Sequence, residues 1–144
     1  MVKAQPKKKK KKKLTVTKVQ DAVNKAIRER DGECVVRDGR HSCAGCLTAS
    51  HFYSVGGNST FRFYPPNIHT QCLSHHGIHE RKQEPFFYRS WMLENYAEEM
   101  VWMRDNWYKT VRYSQPVLED IQALAKAGEL DILTEYIRSL INDA

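Results

Sequence analysis

Four cysteines and six histidines are concentrated in one segment of the chain. All of them lie between residues 34 and 79 of a 144-residue sequence. Two pairs have the spacing of zinc ligands, because two residues separate Cys43 from Cys46 and two separate Cys72 from His75. Such a spacing lets one tight turn direct both side chains at a single tetrahedral Zn²⁺. The segment is therefore predicted to bind a structural zinc ion.

A fifth candidate ligand, Cys34, makes this set larger than one zinc ion needs. Either Cys34 or one of Cys43 and Cys46 is spare, and a pair formed by Cys34 and Cys43 leaves a more usual distance to the strand that holds His51. Four protein ligands leave no open position for water, so the zinc is expected to be structural. Hydrolytic chemistry would then depend on nearby side chains, since one imidazole can take a proton from water and another can hold a divalent ion. The candidates are His51, Asn67, His69, His76 and His79, of which His69 is expected to be a packed polar partner.

Hydrophobic periodicity predicts the elements that position these residues. A leading helix is indicated by apolar residues at spacings of three and four, and Asp31-Gly32 ends it. The β-prone segments CVV and LTASHFYS, between residues 33 and 64, predict a small hairpin that Pro65-Pro66 closes. A short helix is expected to start near His75. The apolar positions of the leading helix are Val16, Val19, Val23 and Ile27.

The C-terminal part is predicted to be helical. A long helix is expected from about Phe86 to Lys109, a second from Ser114 to Gly128, and a last one lined by apolar residues. The fold class is therefore α+β, with a leading helix over 14–32, a zinc-bound core over 33–82 and a helical extension over 83–144. The stripe of the long helix consists of Met92, Tyr96, Met100, Met103 and Trp107; that of the last helix consists of Leu130, Leu133, Ile137 and Leu140.

The net charge of +6 is unevenly distributed. Residues 1–13 contain eight lysines and no acid, whereas residues 91–144 contain five basic and ten acidic residues. The basic arm over 1–13 is expected to be disordered, and Lys7, Lys8, Lys9, Lys10, Lys11, Lys12 and Lys13 either neutralise nucleic-acid phosphates or form a solubilising or targeting tail. No apolar run is long enough to span a membrane, and no apolar segment follows the lysines as in a secretory signal. The cysteines and histidines therefore indicate a reducing compartment and a metal site rather than disulfides.

Residues 51–76 resemble the signature of HNH, or ββα-metal, endonucleases. His51, Asn67, Cys72, His75 and His76 match its spacing, with His75 in place of a second cysteine. The resemblance is sharpest to the NinG/Rap group of lambdoid-phage recombination endonucleases. Segments that resemble this group cover residues 14–110 in pieces, namely 19–31, 51–54, 62–63, 67–72 and 88–101.

The resemblance implies a ββα-metal, treble-clef-like core and a role for each matching residue. His51 would be the general base, and Asn67 would hold the following loop and orient the His51 ring. His76, with His79 as a second candidate, would bind catalytic Mg²⁺ or another divalent ion, and Ser50 stands where the wider family usually has Asp. Arg62 is a candidate phosphate contact.

The function implied by the resemblance is that of a metal-dependent DNA endonuclease. It would hydrolyse phosphodiester bonds in branched recombination intermediates such as Holliday junctions and D-loops, in the host cytoplasm. Cutting a junction often calls for two active sites, which suggests a homodimer. A second interpretation is a non-catalytic zinc module that binds nucleic acid or a partner protein through its helical tail. A third assigns protein interaction to the acidic C-terminal part.

Overall fold

Six α-helices and one two-stranded antiparallel sheet make up the described part of the chain. The computed structural model describes residues 7–37, 39, 41–80 and 86–144, and it has an α+β architecture. In chain order the elements are α1 (Val16–Asp31), β1 (Leu47–His51), β2 (Ile68–Cys72), α2 (Leu73–Glu80), α3 (Phe86–Asn95), α4 (Ala97–Asp105), α5 (Gln115–Lys126) and α6 (Leu130–Asn142), with short 3₁₀ turns at Ser59–Phe61 and Pro65–Asn67.

Helix α1 confirms the prediction from its periodicity. Thr15 caps its first turn by accepting a hydrogen bond from the Lys18 amide, and Gly32 ends it with a φ of 69°. A residue in this left-handed conformation is the common end of a helix, and glycine adopts it without strain. Val19, Val23 and Ile27 of the apolar stripe are buried, Val16 is half-buried, and α1 packs on α5 and the sheet.

The hairpin differs from the prediction, because β1 pairs with β2 and not with CVV. Leu47 lies opposite Cys72 and His51 lies opposite Ile68 in the register. The CVV segment forms a turn, although the Val35 amide still donates to the Thr70 carbonyl at 3.0 Å. Its β-prone composition reflects burial, since Val36 is only 2% exposed.

The predicted long helix is interrupted, and its two parts are α3 and α4. Tyr96 separates them with a φ of −138°, and its ring packs 4.6 Å from the His69 ring. Trp107 lies in the turn after α4, outside the helix. Helices α5 and α6 follow the prediction, except that Ile141 is fully buried at the end of α6 whereas Leu140 is half-buried.

The C-terminal helices pack on the loop that connects the two strands. The Arg138 side chain in α6 donates to the Tyr64 hydroxyl at 2.8 Å and lies 4.8 Å from the Trp102 ring centre. The helical extension and the sheet therefore share one hydrophobic core.

Among the described residues, no helix combines the length and apolar character that crossing a membrane requires.

Asp31, at the end of α1, ties that helix to the middle of β2. Its Oδ2 accepts from the Thr70 amide at 2.8 Å, and its Oδ1 accepts from Arg30 Nε at 2.7 Å. Burial raises the pKa of Asp31, but the Arg30 guanidinium and the Thr70 amide outweigh this effect and hold it below the usual 3.8. A carboxylate with a depressed pKa stabilises the fold fully above its unfolded pKa and loses this effect as the pH falls through its folded pKa.

We expect Asp31→Asn to lower the free energy of unfolding at pH 7 by about 1 kcal/mol, because the amide keeps one acceptor but loses the charge. The difference from the wild type should shrink as the pH falls below the usual carboxyl pKa of 3.8, because the wild-type carboxylate is protonated there. Urea unfolding of both proteins across this range measures it. A difference that stays constant with pH would contradict the role of the charge.

Candidate metal centre and catalytic site

Four side chains converge at the junction between β2 and α2. One ligand atom from each of Cys34, Cys43, Cys72 and His75 lies within 4.8 Å of the others. The His75 Nδ1 atom is 3.0 Å from Cys72 Sγ and 3.7 Å from Cys43 Sγ. Tetrahedral zinc places sulfur and nitrogen ligands roughly 3.6 Å apart. The group can hold a metal ion, and its three thiols and one imidazole fit structural zinc.

Cys46 is the spare cysteine in this arrangement. It is exposed and does not belong to the group, but its carbonyl accepts from the Leu73 amide at 2.9 Å. The Ala44 carbonyl similarly accepts from the Ser74 amide at 3.1 Å. Residues 43–46 therefore bond to the first turn of α2 through their backbone, and only Cys43 directs its thiol to the group.

Gly45 lets this loop lie directly on α2. Its φ is 81°, and a Cβ placed on it would come 2.7 Å from Leu73 Cβ. No other residue fits this conformation and this contact without displacing Leu73. The close approach brings Cys43 to His75, so the glycine belongs to the metal centre although it supplies no ligand.

The pKa values of two of these thiols move in opposite directions. Burial raises the pKa of Cys34 to about 11. Burial also raises the pKa of Cys72, but hydrogen bonds from His75 and neighbouring groups outweigh it and bring the value to about 6. Since the thiolate is the form that binds a metal, Cys72 is prepared for binding near neutral pH, whereas Cys34 must release a proton.

His51 ends β1 at the opposite end of the hairpin from the metal centre. Its Nε2 lies 2.8 Å from the Arg62 carbonyl oxygen. A carbonyl can only accept, so Nε2 carries the proton and the neutral ring has its lone pair on Nδ1. This tautomer can accept a proton from water through Nδ1.

Asn67 is fully buried and holds the loop that follows His51. Its Oδ1 accepts from the Tyr53 amide at 2.9 Å, and its Nδ2 donates to the carbonyls of Tyr53 at 3.1 Å and Phe61 at 3.3 Å. Its own carbonyl accepts from the Phe52 amide at 2.8 Å. These bonds hold both ends of the loop, so Asn67 acts on the His51 ring through the position of the Arg62 carbonyl.

His76 lies in α2 and contacts β1. Its Nδ1 is 3.0 Å from the Thr48 hydroxyl, which donates its proton to the Gln71 carbonyl at 3.1 Å. The Thr48 oxygen must therefore accept from His76 Nδ1, which leaves the lone pair of the neutral ring on Nε2. Imidazole ligands of metals commonly donate their other N–H in this way. His79 also lies in α2, but its side chain is outside the described residues.

The described residues contain no second group of three or more His, Cys, Asp or Glu side chains that could hold a metal. A complete ligand set for a catalytic ion is therefore not visible around His76. The structure brings His51 and His76 to the hairpin from two different elements, β1 and α2.

Arg62 is held within the fold by its side chain as well as by its carbonyl. Its Nε donates to Gln20 Oε1 in α1 at 3.3 Å, and its guanidinium lies 5.3 Å from the Phe63 ring centre. Partial burial lowers the pKa of Arg62. Its expected contact with a phosphate remains a prediction.

The lysine segment 7–13 has neither helix nor strand, and all of its side chains are exposed. Lys11 Nζ lies 3.8 Å from Glu119, with both side chains largely in solvent. The base of the segment is fixed, because Leu14 N donates to Gln115 Oε1 at 2.9 Å and Gln115 Nε2 donates to the Leu14 carbonyl at 2.7 Å. The arm therefore leaves the body at the start of α5.

A buried polar group on the inner face of the sheet was not found from the sequence. The Tyr88 hydroxyl in α3 donates to the Ser50 carbonyl at 3.1 Å and therefore accepts from His69 Nδ1 at 2.9 Å. Burial lowers the pKa of His69 to about 3, so its ring is neutral, as expected for a packed polar partner. Within the described part of the chain, Ser50 Oγ, His69 Nε2 and the Gln71 amide have no hydrogen-bond partner. No local spacing links Tyr88 to His69, which explains why the pattern did not reveal it.

Among known proteins, one family model matches most of the chain. A family model described as "Bacteriophage Lambda NinG protein" matches residues 1–133. No curated protein and no solved structure matches the chain significantly.

The geometry of the metal centre predicts that zinc binding depends on Cys43 and not on Cys46. Protein with Cys43→Ser should lose most of its zinc, because one of the four converging ligands is removed, and its thermal stability should fall. Cys46→Ser is the matched control and should retain about one zinc per chain, since this thiol lies outside the group. Elemental analysis of protein purified without chelator measures both. Zinc loss in Cys46→Ser, or full zinc content in Cys43→Ser, would contradict the assigned ligands.

Proposed function

This chain belongs to the family of the bacteriophage lambda NinG protein, and from this we propose that it is an HNH-type, metal-dependent DNA endonuclease. The proposed substrates are branched recombination intermediates such as Holliday junctions and D-loops. The observation that carries the proposal is the fixed tautomer of His51, which ends β1 beside a loop that the buried Asn67 holds in place. Residues 33–82, with their β1–β2–α2 order, are the proposed nuclease core.

The position of the metal centre supports a structural role for zinc. Leu47 is opposite Cys72 at one end of the hairpin, and His51 is opposite Ile68 at the other. Four residues of strand separate the two ends, which corresponds to about 13 Å. A zinc ion with four protein ligands at that distance would hold the fold and would not touch a phosphate at His51.

His51 is the proposed general base. As water attacks the phosphorus, Nδ1 accepts a proton from it, and the Arg62 carbonyl oxygen at Nε2 holds the ring and stabilises the positive charge that develops. The family resemblance assigns a divalent ion to His76, where it would supply a Lewis acid for a phosphate oxygen within its reach; His76 itself contacts Thr48, three residues before His51 in β1. The products implied by the family resemblance are a 5′-phosphate and a 3′-hydroxyl.

The first test compares cleavage of a labelled four-way junction with cleavage of a linear duplex of the same sequence. We expect the wild-type protein with Mg²⁺ to nick the junction selectively and EDTA to abolish nicking. His51→Ala should reduce the rate by about 100-fold or more, because general-base catalysis contributes roughly this much. His51→Gln is the matched variant: its amide can still donate to the Arg62 carbonyl but cannot act as the base, so it should be equally inactive.

Several outcomes would contradict this proposal. Full activity in His51→Gln would exclude the ring as the base, and equal cutting of both substrates would remove the preference for branched DNA. Binding of DNA without cleavage, with either Mg²⁺ or Mn²⁺, would favour the alternative of a non-catalytic zinc module. Zinc content and circular dichroism of each variant control for loss of the fold.

The lysine arm is proposed to hold the DNA backbone without reading its sequence. Replacing all residues from Lys7 to Lys13 by Gln should weaken binding to junction and duplex alike, because phosphate contacts carry no base information. The slope of log K against log salt should become shallower by up to about 6, at roughly 0.9 for each phosphate that is no longer neutralised. Lys25→Gln and Lys126→Gln, on exposed helix surfaces, are controls and should change the slope little. An unchanged slope in the arm variant would contradict the proposal.

A further inference from the structure

The turn after α4 exposes two large aromatic side chains. The Tyr108 residue is 79% exposed and Trp107 is 40% exposed, whereas most other aromatic residues of the described chain are buried or half-buried. Exposing a tyrosine to this extent gains nothing for folding, since burial of its ring is what would stabilise the protein. Neither residue belongs to the metal centre.

A groove of about 340 Å³ lies between this turn and the loop that follows β1. Two hydrogen bonds join its walls: Asn58 Nδ2 donates to the Trp107 carbonyl at 2.8 Å, and Thr60 Oγ1 donates to the Lys109 carbonyl at 2.7 Å. These bonds fix the groove before any ligand arrives, which lowers the entropic cost of binding. Its lining consists of Val55, Gly56, Gly57, Asn58, Ser59, Thr60, Trp107, Lys109 and Thr110, which are mainly small or polar.

The chain segment that forms one wall of the groove is rich in basic residues. Residues 91–144 contain only five basic residues, yet three of them, Arg104, Lys109 and Arg112, fall within nine positions. The single acid in that stretch, Asp105, lies 3.4 Å from Arg104. Lys109 lines the groove, and its Nζ donates to the Asn142 carbonyl at 3.4 Å. A basic segment with exposed aromatic rings has the features of a single-stranded nucleic-acid site.

The groove is connected to the proposed catalytic base. The Trp107 ring packs at 5.0 Å, edge to face, on the Tyr53 ring. Tyr53 is two residues after His51, and its backbone is bonded to the Asn67 side chain. A strand lying in the groove would therefore reach the loop that orients His51.

We propose that this groove binds unpaired nucleotides of a DNA substrate, with Lys109 contacting a phosphate and two aromatic rings stacking on bases: Trp107 in the lining, and the exposed Tyr108, which lies between these two lining residues in the chain. The inference rests on the proposed function and deepens it, because it names the feature of branched DNA that the protein holds. Stacking tolerates any base, so binding at the groove depends on strand pairing and not on sequence. A protein partner is disfavoured by the polar lining and the positive charge.

The test uses the intact zinc-containing protein without added divalent ions. Fluorescence anisotropy compares binding of a labelled oligothymidine with binding of a fully paired duplex. Tyr108→Ala should weaken oligothymidine binding by about 5-fold or more, since loss of one base-stacking ring costs at least this much, and should change duplex binding by less than about 2-fold. Tyr108→Phe keeps the ring and should bind as the wild type does. Ile132→Ala, at an exposed apolar residue of α6, is the control and should have no effect.

A second readout follows the stacking directly. Oligothymidine should quench the tryptophan emission of the wild type, and most of this quenching should disappear in Trp107→Phe. Unchanged oligothymidine binding in Tyr108→Ala would overturn the inference, and so would an equal loss for duplex DNA. If the wild type cuts junctions and Tyr108→Ala binds and cuts as the wild type does, the inference about the groove is wrong and the nuclease proposal is retained. Wild-type protein that binds no DNA would overturn both proposals.

Discussion

Every residue of β2 is buried, and the backbone groups of a buried strand must find partners within the protein. The strand β1 supplies one row of them, while the end of α1 reaches across to the Thr70 amide and the Ile68 carbonyl. Asn67 immediately precedes β2, and Cys72 is the last residue of this strand. The loop beside His51 and the metal centre are therefore both positioned by one short segment.

The metal centre and the proposed catalytic base lie at opposite ends of the hairpin. The metal centre closes the hairpin where β2 enters α2, and the proposed base lies where β1 ends and the loop begins. In between, the Tyr88 hydroxyl in α3 joins the two strands, since it accepts from His69 Nδ1 in β2 and donates to the Ser50 carbonyl in β1. A zinc ion at one end would stiffen the strand register, and the register determines which face each side chain of β1 occupies.

The sequence predicted best what depends on local spacing. Helices α1, α5 and α6 follow from repeats of three and four residues, and the Cys72 and His75 pair follows from the geometry of one turn. The sequence did not reveal that Cys46 contributes its carbonyl instead of its thiol, because this depends on how Gly45 packs on Leu73. The prediction that CVV forms a strand is wrong, because burial and strand formation favour the same residue types. It missed the break at Tyr96, since the contact of that ring with His69 joins residues far apart in the chain.

The pair of hydrogen bonds between Leu14 and Gln115 gives the lysine arm a fixed origin. Residues 7–13 can extend at most about 24 Å from that point, so their seven lysines reach a limited volume around the start of α5. Within that volume Lys11 lies 3.8 Å from Glu119, so a phosphate that contacts Lys11 would compete with this carboxylate. The seven lysines are thus a concentrated positive charge near one corner of the body, and the Gln115 side chain fixes the point at which the chain carrying them departs.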